Sequence, residues 1–363
     1  MSVGPRVTIL MPVYNGQRYV DEAIASVAGQ GYDDFEFVIV DDGSIDDTPA
    51  ILAGWAARDP RITVHRSPCN EGIPSALNRG LALARGEYIV RQDADDLCVA
   101  GRVAKQVAAL DADPDTVLVS AGFEVIDEQG RRRGSVVPFE APEVLAYLLH
   151  FSNSIGGHGQ VMFRRDMVLA LGNYRVEFDC SQDYDLWSRL AEHGRLRVLP
   201  ITGMRYRMHD HSVTVKSGKR QRLNSLTISR RNLTAFLGEE LDDREFDSMA
   251  AVWRQFDRRG AAPGAHRLFA KAYARFRKTN ANRHHRRRVR MAKAQAFFLS
   301  AAMQAKRGHM LEAIQHLGYA LLWHPQGCMQ AAVAVAKRVV RYCWRAGVDV
   351  QKSLIAWACI SAR

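Results

Sequence analysis

The sequence predicts an α/β domain built on a mostly parallel central sheet, followed by an α-helical, basic C-terminal region. Three observations carry this. Short β-branched runs alternate with amphipathic helical patterns through the first two hundred residues, the pattern of a parallel sheet covered on both faces. Beyond about residue 215 the strand patterns stop and only helical spacing continues. The charge divides at the same place: residues 1–215 hold 21 Lys/Arg against 30 Asp/Glu, and residues 216–363 hold 29 against 9, balances of −9 and +20. Such a split implies two parts with different partners, one spanning 1–215 and the other 216–363.

The elements follow in order. Val7 to Val13 is an apolar run ending beside Pro12, as expected of a buried strand. Tyr19 to Gln30 has helical spacing at Val20, Ile24 and Val27. Phe35 to Val40 is a second strand, stopped by Asp41-Asp42-Gly43-Ser44. Thr48 to Ala57 is a helix with Pro49 in its first turn. Ile62 to His65 is a third strand, Ile73 to Ala84 a third helix closed by Gly86, and Glu87 to Arg91 a fourth strand. Further on, Arg220–Phe236, Phe246–Arg259, Gly264–Arg277 and Arg288–Lys306 read as helices, and Ala301–Pro325 resembles one tetratricopeptide-type helical hairpin. One such unit cannot bury its face alone.

At 47% hydrophobic and 25% charged residues, the composition is that of a globular protein. The six Cys show no CxxC pair or metal-ligand spacing, so they read as free thiols in a reducing compartment. The N-terminus lacks the charged and apolar regions of a secretory signal, and no stretch reaches the ~18 apolar residues of a membrane span. The expected location is the cytoplasm.

In open parallel sheets, ligands bind beyond the carboxyl ends of the strands. The residues just after strands one, two and four are Tyr14-Asn15-Gly16, Asp41-Asp42-Gly43-Ser44 and Gln92-Asp93-Ala94-Asp95-Asp96. They should converge on one polar, acidic rim that suits a hydroxyl-rich ligand and a divalent cation. In Asp93-Ala94-Asp95, alternation along an extended segment puts both carboxylates on one side. Two hard oxygen ligands with substrate phosphates make a site for Mg²⁺ or Mn²⁺. Alone, Asp-x-Asp is weak evidence, because acidic loops are common. Asp42 suits a base N–H or ribose hydroxyls, although Asp41 to Ser44 also reads as a plain Asx-turn.

The combination is specific where each piece is not. Val7 to Gly16, Phe37 to Ser44, Asn70-Glu71-Gly72 with Asn78-Arg79-Gly80, and Ala84 to Ile89 leading to Asp93-Ala94-Asp95-Asp96 together resemble family 2 of the inverting glycosyltransferases, which have the GT-A type fold. The resemblance covers about residues 5 to 212. It implies a nucleotide pocket lined by Pro12 and Tyr14, with Asp42 accepting from the base, Asp41 supporting the turn and Asn78 near the nucleotide. It also implies that Asp93 reaches the ribose or metal-bound water and that Asp95 binds the metal.

Two further segments resemble the same family. Gly157 to Arg165 resembles its acceptor-side segment, bringing in His158. Ser181-Gln182-Asp183-Tyr184 resembles the start of its catalytic helix. An inverting transfer needs one base beside the acceptor hydroxyl, and Asp183 matches it. Many members carry Glu-Asp where this chain has Gln182-Asp183, so a single carboxylate stands at the pair. Trp187 suits either an acceptor-sugar platform or the core. Met204 to Thr214 resembles the family's Tyr-Arg-x-His-x-x-Ser ending. It implies Arg207 on a donor phosphate and His209 on the metal or diphosphate.

The expected donor is a nucleoside-diphosphate sugar, a UDP-sugar first among them. The expected acceptor is a saccharide or lipid-linked hydroxyl in cell-surface polysaccharide or glycolipid synthesis. The basic cluster Arg283 to Arg290, with Lys306-Arg307, Lys337-Arg338, Arg341 and Arg345, is interleaved with Phe297-Phe298-Leu299, Leu321-Leu322-Trp323 and Tyr342-Cys343-Trp344. That composition suits peripheral attachment to an anionic membrane at its inner face, while a solvated helical face is the plainer reading. A nucleotidyltransferase should show a Gly-rich, Lys- or Arg-containing signature after strand one, where Pro12 to Gly16 stands instead. A nucleic-acid-binding protein is disfavoured by the acidic first domain, and no nucleic-acid partner is expected.

Overall fold

The structure is a computed structural model and describes residues 4–136, 140–210, 218–254 and 259–324. His211 to Thr214 and Lys337 to Arg345 lie outside the described residues. The chain forms two compact units, residues 1–228 and 229–363.

The first unit is built on a nine-stranded sheet. Its strands are β1 (Val7–Val13), β2 (Phe35–Asp41), β3 (Ile62–Arg66), β4 (Tyr88–Arg91), β5 (Leu97–Cys98), β6 (Thr116–Ile126), β7 (Arg132–Val136), β8 (Met162–Arg164) and β9 (Arg195–Arg207). The order is β3-β2-β1-β4-β8-β6-β9-β5, with β7 paired to β6. The long pairings are parallel: β1 with β2 and β4, β2 with β3, and β6 with β9. The antiparallel pairings are short, and two of them insert β8 between β4 and β6. The sheet is therefore mostly parallel.

Period-two alternation gives each strand two buried faces. Val7, Ile9, Met11 and Val13 pack with Val20, Ile24 and Val27 of helix α1 (Val20–Ala28) and with Val103 and Val107 of α4 (Arg102–Asp111). Leu10, Val38 and Val40 face the other way. They meet Ala76, Leu77 and Leu81 of α3 (Ile73–Leu83), in a core that continues to Leu186 and Trp187 of α7 (Gln182–Leu190). Helix α2 (Thr48–Arg58) joins the α1 side through Leu52, while the short helices α5 (Pro142–Leu148) and α6 (Arg165–Ala170) join the α3 side through Leu145 and Val168. Gly80 and Gly86 permit the close approaches this requires. A Cβ at Gly80 would strike Leu10, and one at Gly86 would strike the β1 backbone.

Helix α8 (Gly218–Leu237) begins in the first unit. The second unit contains α9 (Asp243–Trp253), α10 (Ala261–Thr279), α11 (Arg283–Lys306) and α12 (Met310–Trp323). The α11–α12 hairpin turns at Gly308, whose φ is +86°. Helix α11 starts at Arg283, earlier than the spacing predicts. Asn282 caps it by accepting from the His284 and His285 N–H groups. Part of the Arg cluster is consumed here. Arg286 donates to the Arg277 and Asn280 carbonyls at the end of α10, and Arg290 to the Trp323 carbonyl at the end of α12, where cations complement orphan carbonyls. Among the described residues, no helix is long and apolar enough to cross a membrane.

Candidate active site

The loops after β1, β2 and β4 converge as the strand-end rule predicts. The Asn15 N–H donates to Ser44 Oγ (2.9 Å), Asn15 Oδ1 accepts from the Ile45 N–H (2.9 Å), and the Gly16 N–H donates to Thr48 Oγ1 (2.8 Å). Asn15 takes a left-handed φ of 51° and Gly43 one of 76°, which short polar residues and glycine tolerate. A Cβ at Gly43 would also run into the Cys69–Asn70 backbone. The loops bound a cleft of about 1100 Å³.

At one end lie Pro12, Tyr14, Asp42, Asn70 and Gly72. Tyr14 is exposed, as a ring waiting for a flat partner would be. The buried Asp42 carboxylate accepts from the Glu71 N–H (3.1 Å) and the Gly72 N–H (2.8 Å). Two acceptor oxygens keep lone pairs beyond those two bonds.

Midway lie Asp93, Asp95 and His209. His209 Nε2 is 2.9 Å from Asp95 Oδ2, and the Tyr19 ring packs on His209 at 5.1 Å. Adjacent ligands of an octahedral ion with bonds of ~2.1 Å lie ~3 Å apart, so this pair has the spacing of two neighbouring metal ligands. Among the described residues, no three His, Cys, Asp or Glu side chains gather as a closed metal cage. Two protein ligands with room for phosphate oxygens suit a cation held jointly with a diphosphate. Asp93 is tied to the buried Arg91 (2.6 Å). Burial raises the Asp93 pKa, Arg91 opposes this, and Asp95 adds to it. A Cβ at Gly159 would lie 2.5 Å from Asp93 Oδ2, so this carboxylate needs glycine behind it.

At the far end lie Asn153, His158, Ser181, Gln182, Asp183 and Gln221. Asp183 opens α7. Its Oδ1 accepts from the Tyr184 N–H (2.8 Å) and its Oδ2 from Asn153 Nδ2 (3.0 Å). Burial first, with Asp93 adding, pushes its pKa up to about 6. Ser181 precedes it at a left-handed φ of 78° and is pinned by Ser225 Oγ (2.9 Å) and the Gln221 carbonyl (3.2 Å) of α8. Gln182 is buried and lines the cleft.

Four of the candidate residues do not line the cleft. Arg207 is buried with its guanidinium spent: Nη2 on Glu22 (2.7 Å), Nε on the Asp95 carbonyl (3.0 Å) and Nη1 on the Glu128 carbonyl (3.2 Å). It shapes the Asp95 loop from behind instead of facing a phosphate. Trp187 is fully buried between His158 and Phe163, so it is core and not a sugar platform. Asn78 uses both ends of its amide on the Tyr174 backbone (2.8 and 3.0 Å). It reaches the cleft only through Tyr174, whose hydroxyl meets His158 Nε2 (2.9 Å). Asp41 accepts from the Ser44 N–H (2.9 Å) and pairs with Arg66 (3.3 Å), supporting the turn below the cleft. His158 does line the cleft, and burial holds its pKa well below the usual histidine value. Sequence reasoning missed Arg18, Tyr19, Arg91 and Asn153, all cleft-lining. A charged residue ending an otherwise apolar strand was the available signal for Arg91.

Residues 8–172 match the family model for glycosyl transferase family 2. The chain is 35% identical over 198 residues to a putative glycosyltransferase, EpsE, of Bacillus subtilis (strain 168), covering 53% of this chain and 69% of that protein. The chain belongs to glycosyltransferase family 2. The solved structure of S. aureus TarS 1-349 in complex with UDP-GlcNAc is similar to this glycosyltransferase, with a TM-score of 0.54 at 18% identity over 89% of this chain and 92% of that one. So is the mannosyltransferase PcManGT from Pyrobaculum calidifontis in complex with GDP-Man and Mn²⁺, with a TM-score of 0.50 at 20% identity over 88% of each chain. At these identities the likeness shows the GT-A type fold alone. The matched region includes Pro12, Tyr14, Asp42 and the Asp-x-Asp loop but stops short of Asp183 and His209.

Proposed function

We propose that this glycosyltransferase moves a hexose-type sugar, with inversion and with the help of a divalent cation, from a nucleoside-diphosphate sugar to an acceptor hydroxyl. One observation carries the reading. A single cleft holds an exposed aromatic beside a buried carboxylate at one end, the Asp95–His209 pair midway, and at the other end Asp183, with a pKa near 6.

The base of the donor lies against Tyr14, and Asp42 accepts from its N–H or from the ribose. Asp95 and His209 are the residues that would hold Mn²⁺ or Mg²⁺, with Asp93 behind them. The cation supplies charge neutralisation for the departing diphosphate. Asp183, ionised near neutral pH, accepts the proton of the acceptor hydroxyl as that oxygen attacks the anomeric carbon from the face opposite the diphosphate. A pKa near 6 leaves the carboxylate mostly ionised at pH 7 yet more basic than an ordinary aspartate.

Gln182 and Gln221 line the same cleft as Asp183, a cleft of about 1100 Å³. This leaves room for an extended acceptor and supports a saccharide or lipid-linked glycan of cell-surface polysaccharide or glycolipid synthesis. UDP-sugars are the first donors to test, since one neighbouring fold holds UDP-GlcNAc and another GDP-Man. The basic turn between α10 and α11 supports peripheral contact with an anionic membrane, and the α/β and helical parts then divide catalysis from attachment. In a hydrolysis screen of UDP-, GDP- and dTDP-sugars, one donor class should turn over with Mn²⁺ and stop with EDTA. Turnover of none, or turnover that EDTA leaves unchanged, contradicts the reading.

A further inference from the structure

Asn153 has no role in the mechanism above, yet among the described residues its amide hydrogen-bonds the Asp183 carboxylate across the cleft. It sits in the irregular segment between α5 and β8, thirty residues before Asp183. Its three hydrogen bonds fix the orientation of the amide. Nδ2 donates to Asp183 Oδ2 (3.0 Å) and to the Gly156 carbonyl (3.1 Å), while Oδ1 accepts from the Ile155 N–H (3.1 Å). A flipped amide would set its oxygen against two acceptors and its NH₂ against a donor, so only one orientation satisfies all three. Gly156 has a φ of 105°, and a Cβ there would collide with the Gln160 amide. The turn that presents its carbonyl to Asn153 is thus fixed in turn.

We infer that Asn153 is the positioning residue for the base: its rigid amide pins Oδ2 of Asp183, fixes the carboxylate plane and favours the ionised form. The backbone bonds to this carboxylate, from the Tyr184 N–H and from the N–H of Asp183 itself, are local to the helix start and do not set its direction across the cleft. A hydrogen bond donated to a carboxylate stabilises the charged form. The remaining charged and titratable groups acting on Asp183 are Asp93, which raises its pKa, and Arg91, which lowers it, with the Tyr174 phenol also close enough to feel its charge. The Asn153 donor adds a side-chain hydrogen bond to the ionised carboxylate in this environment. The inference rests on Asp183 being the base, and the experiment separates the two claims.

The Asp183 side chain is titrated by carbon NMR in protein labelled at aspartate Cγ, with the resonance assigned by Asp183→Asn. The comparison is the parent chain against Asn153→Ala and the isosteric Asn153→Asp. Donor hydrolysis with Mn²⁺ is followed from pH 5 to 9 in parallel. The Asp183 midpoint should rise by about one pH unit in Asn153→Ala and further in Asn153→Asp, where a second carboxylate replaces the donor. The acid limb of kcat should shift with it, with the donor KM nearly unchanged. Because Asn153→Asp keeps the shape of the side chain, it guards against a folding defect in Asn153→Ala. An Asp183 midpoint unchanged in both variants overturns the inference. Undiminished hydrolysis by Asp183→Asn overturns the base reading instead, while the NMR midpoint still reports whether Asn153 controls that carboxylate.

Discussion

Asp183 sits where burial outweighs its hydrogen bonds, so its pKa is raised to about 6. This is opposite to the usual aspartate. The folded state then binds a proton that the unfolded chain releases near its ordinary value, and the stability this contributes is lost as pH rises through about 6. Activity runs the other way, because the base must be ionised. Rates at saturating donor should fall tenfold per pH unit below about 6; a flat profile down to pH 5 would separate Asp183 from the chemistry. The motif residues Tyr14, Asp42, Asp93, Asp95, Asp183 and His209 line one cleft. Arg207 does not. Its partner Glu22 lies 185 residues away in the chain, and a motif names a position without saying which distant group its side chain will meet. Trp187 and Asn78 differ for the same reason, being taken up by Phe163 and by the Tyr174 backbone. The Asn153 contact with Asp183 likewise exists only once the fold brings the two together.

At the scale of elements, the first four strands were legible because each is a short β-branched run closed by Gly, Pro or Asp. Strands β6 and β9 were not assigned. The β6–β9 pairing shifts register at Ala121, Gly122 and Phe123, and β9 carries Pro200, Gly203 and recurrent Arg. These features break the alternation that marks a strand. Helix α11 begins in the middle of what reads as a charge cluster. Asn282 caps it, and Arg286 and Arg290 are drawn onto neighbouring helix ends. Between Asp257 and Glu312 the sequence has no acidic residue. Arg275, Arg277 and Lys278 near the end of α10, with Arg283 and Arg287 at the start of α11, stay exposed. Cations at a helix N-terminus oppose its dipole, so an anionic surface would relieve them. Replacing these five by Gln should reduce flotation with anionic liposomes at low salt and leave donor hydrolysis intact. Equal flotation of both proteins at every salt concentration would contradict membrane contact through this turn.

At the scale of the whole molecule, the acidic α/β unit holds every residue assigned to the chemistry, and the helical unit holds the basic surface. Pattern and charge change near residue 215, and the compact units divide at residue 228. Tyr14, Asp42 and the Asp-x-Asp loop lie inside the matched family region, while Asp183 and His209 lie beyond it, so the roles proposed for those two rest on geometry. The central claim is inverting transfer with Asp183 as the base. It is tested most directly by following donor turnover by proton NMR, in the parent chain and in Asp183→Asn, and reading the anomeric configuration of the first-formed product. The product should have the configuration opposite to that of the donor and form about 10²–10⁴-fold more slowly with Asp183→Asn. A product that keeps the configuration of the donor, or a full rate in Asp183→Asn, would contradict that claim.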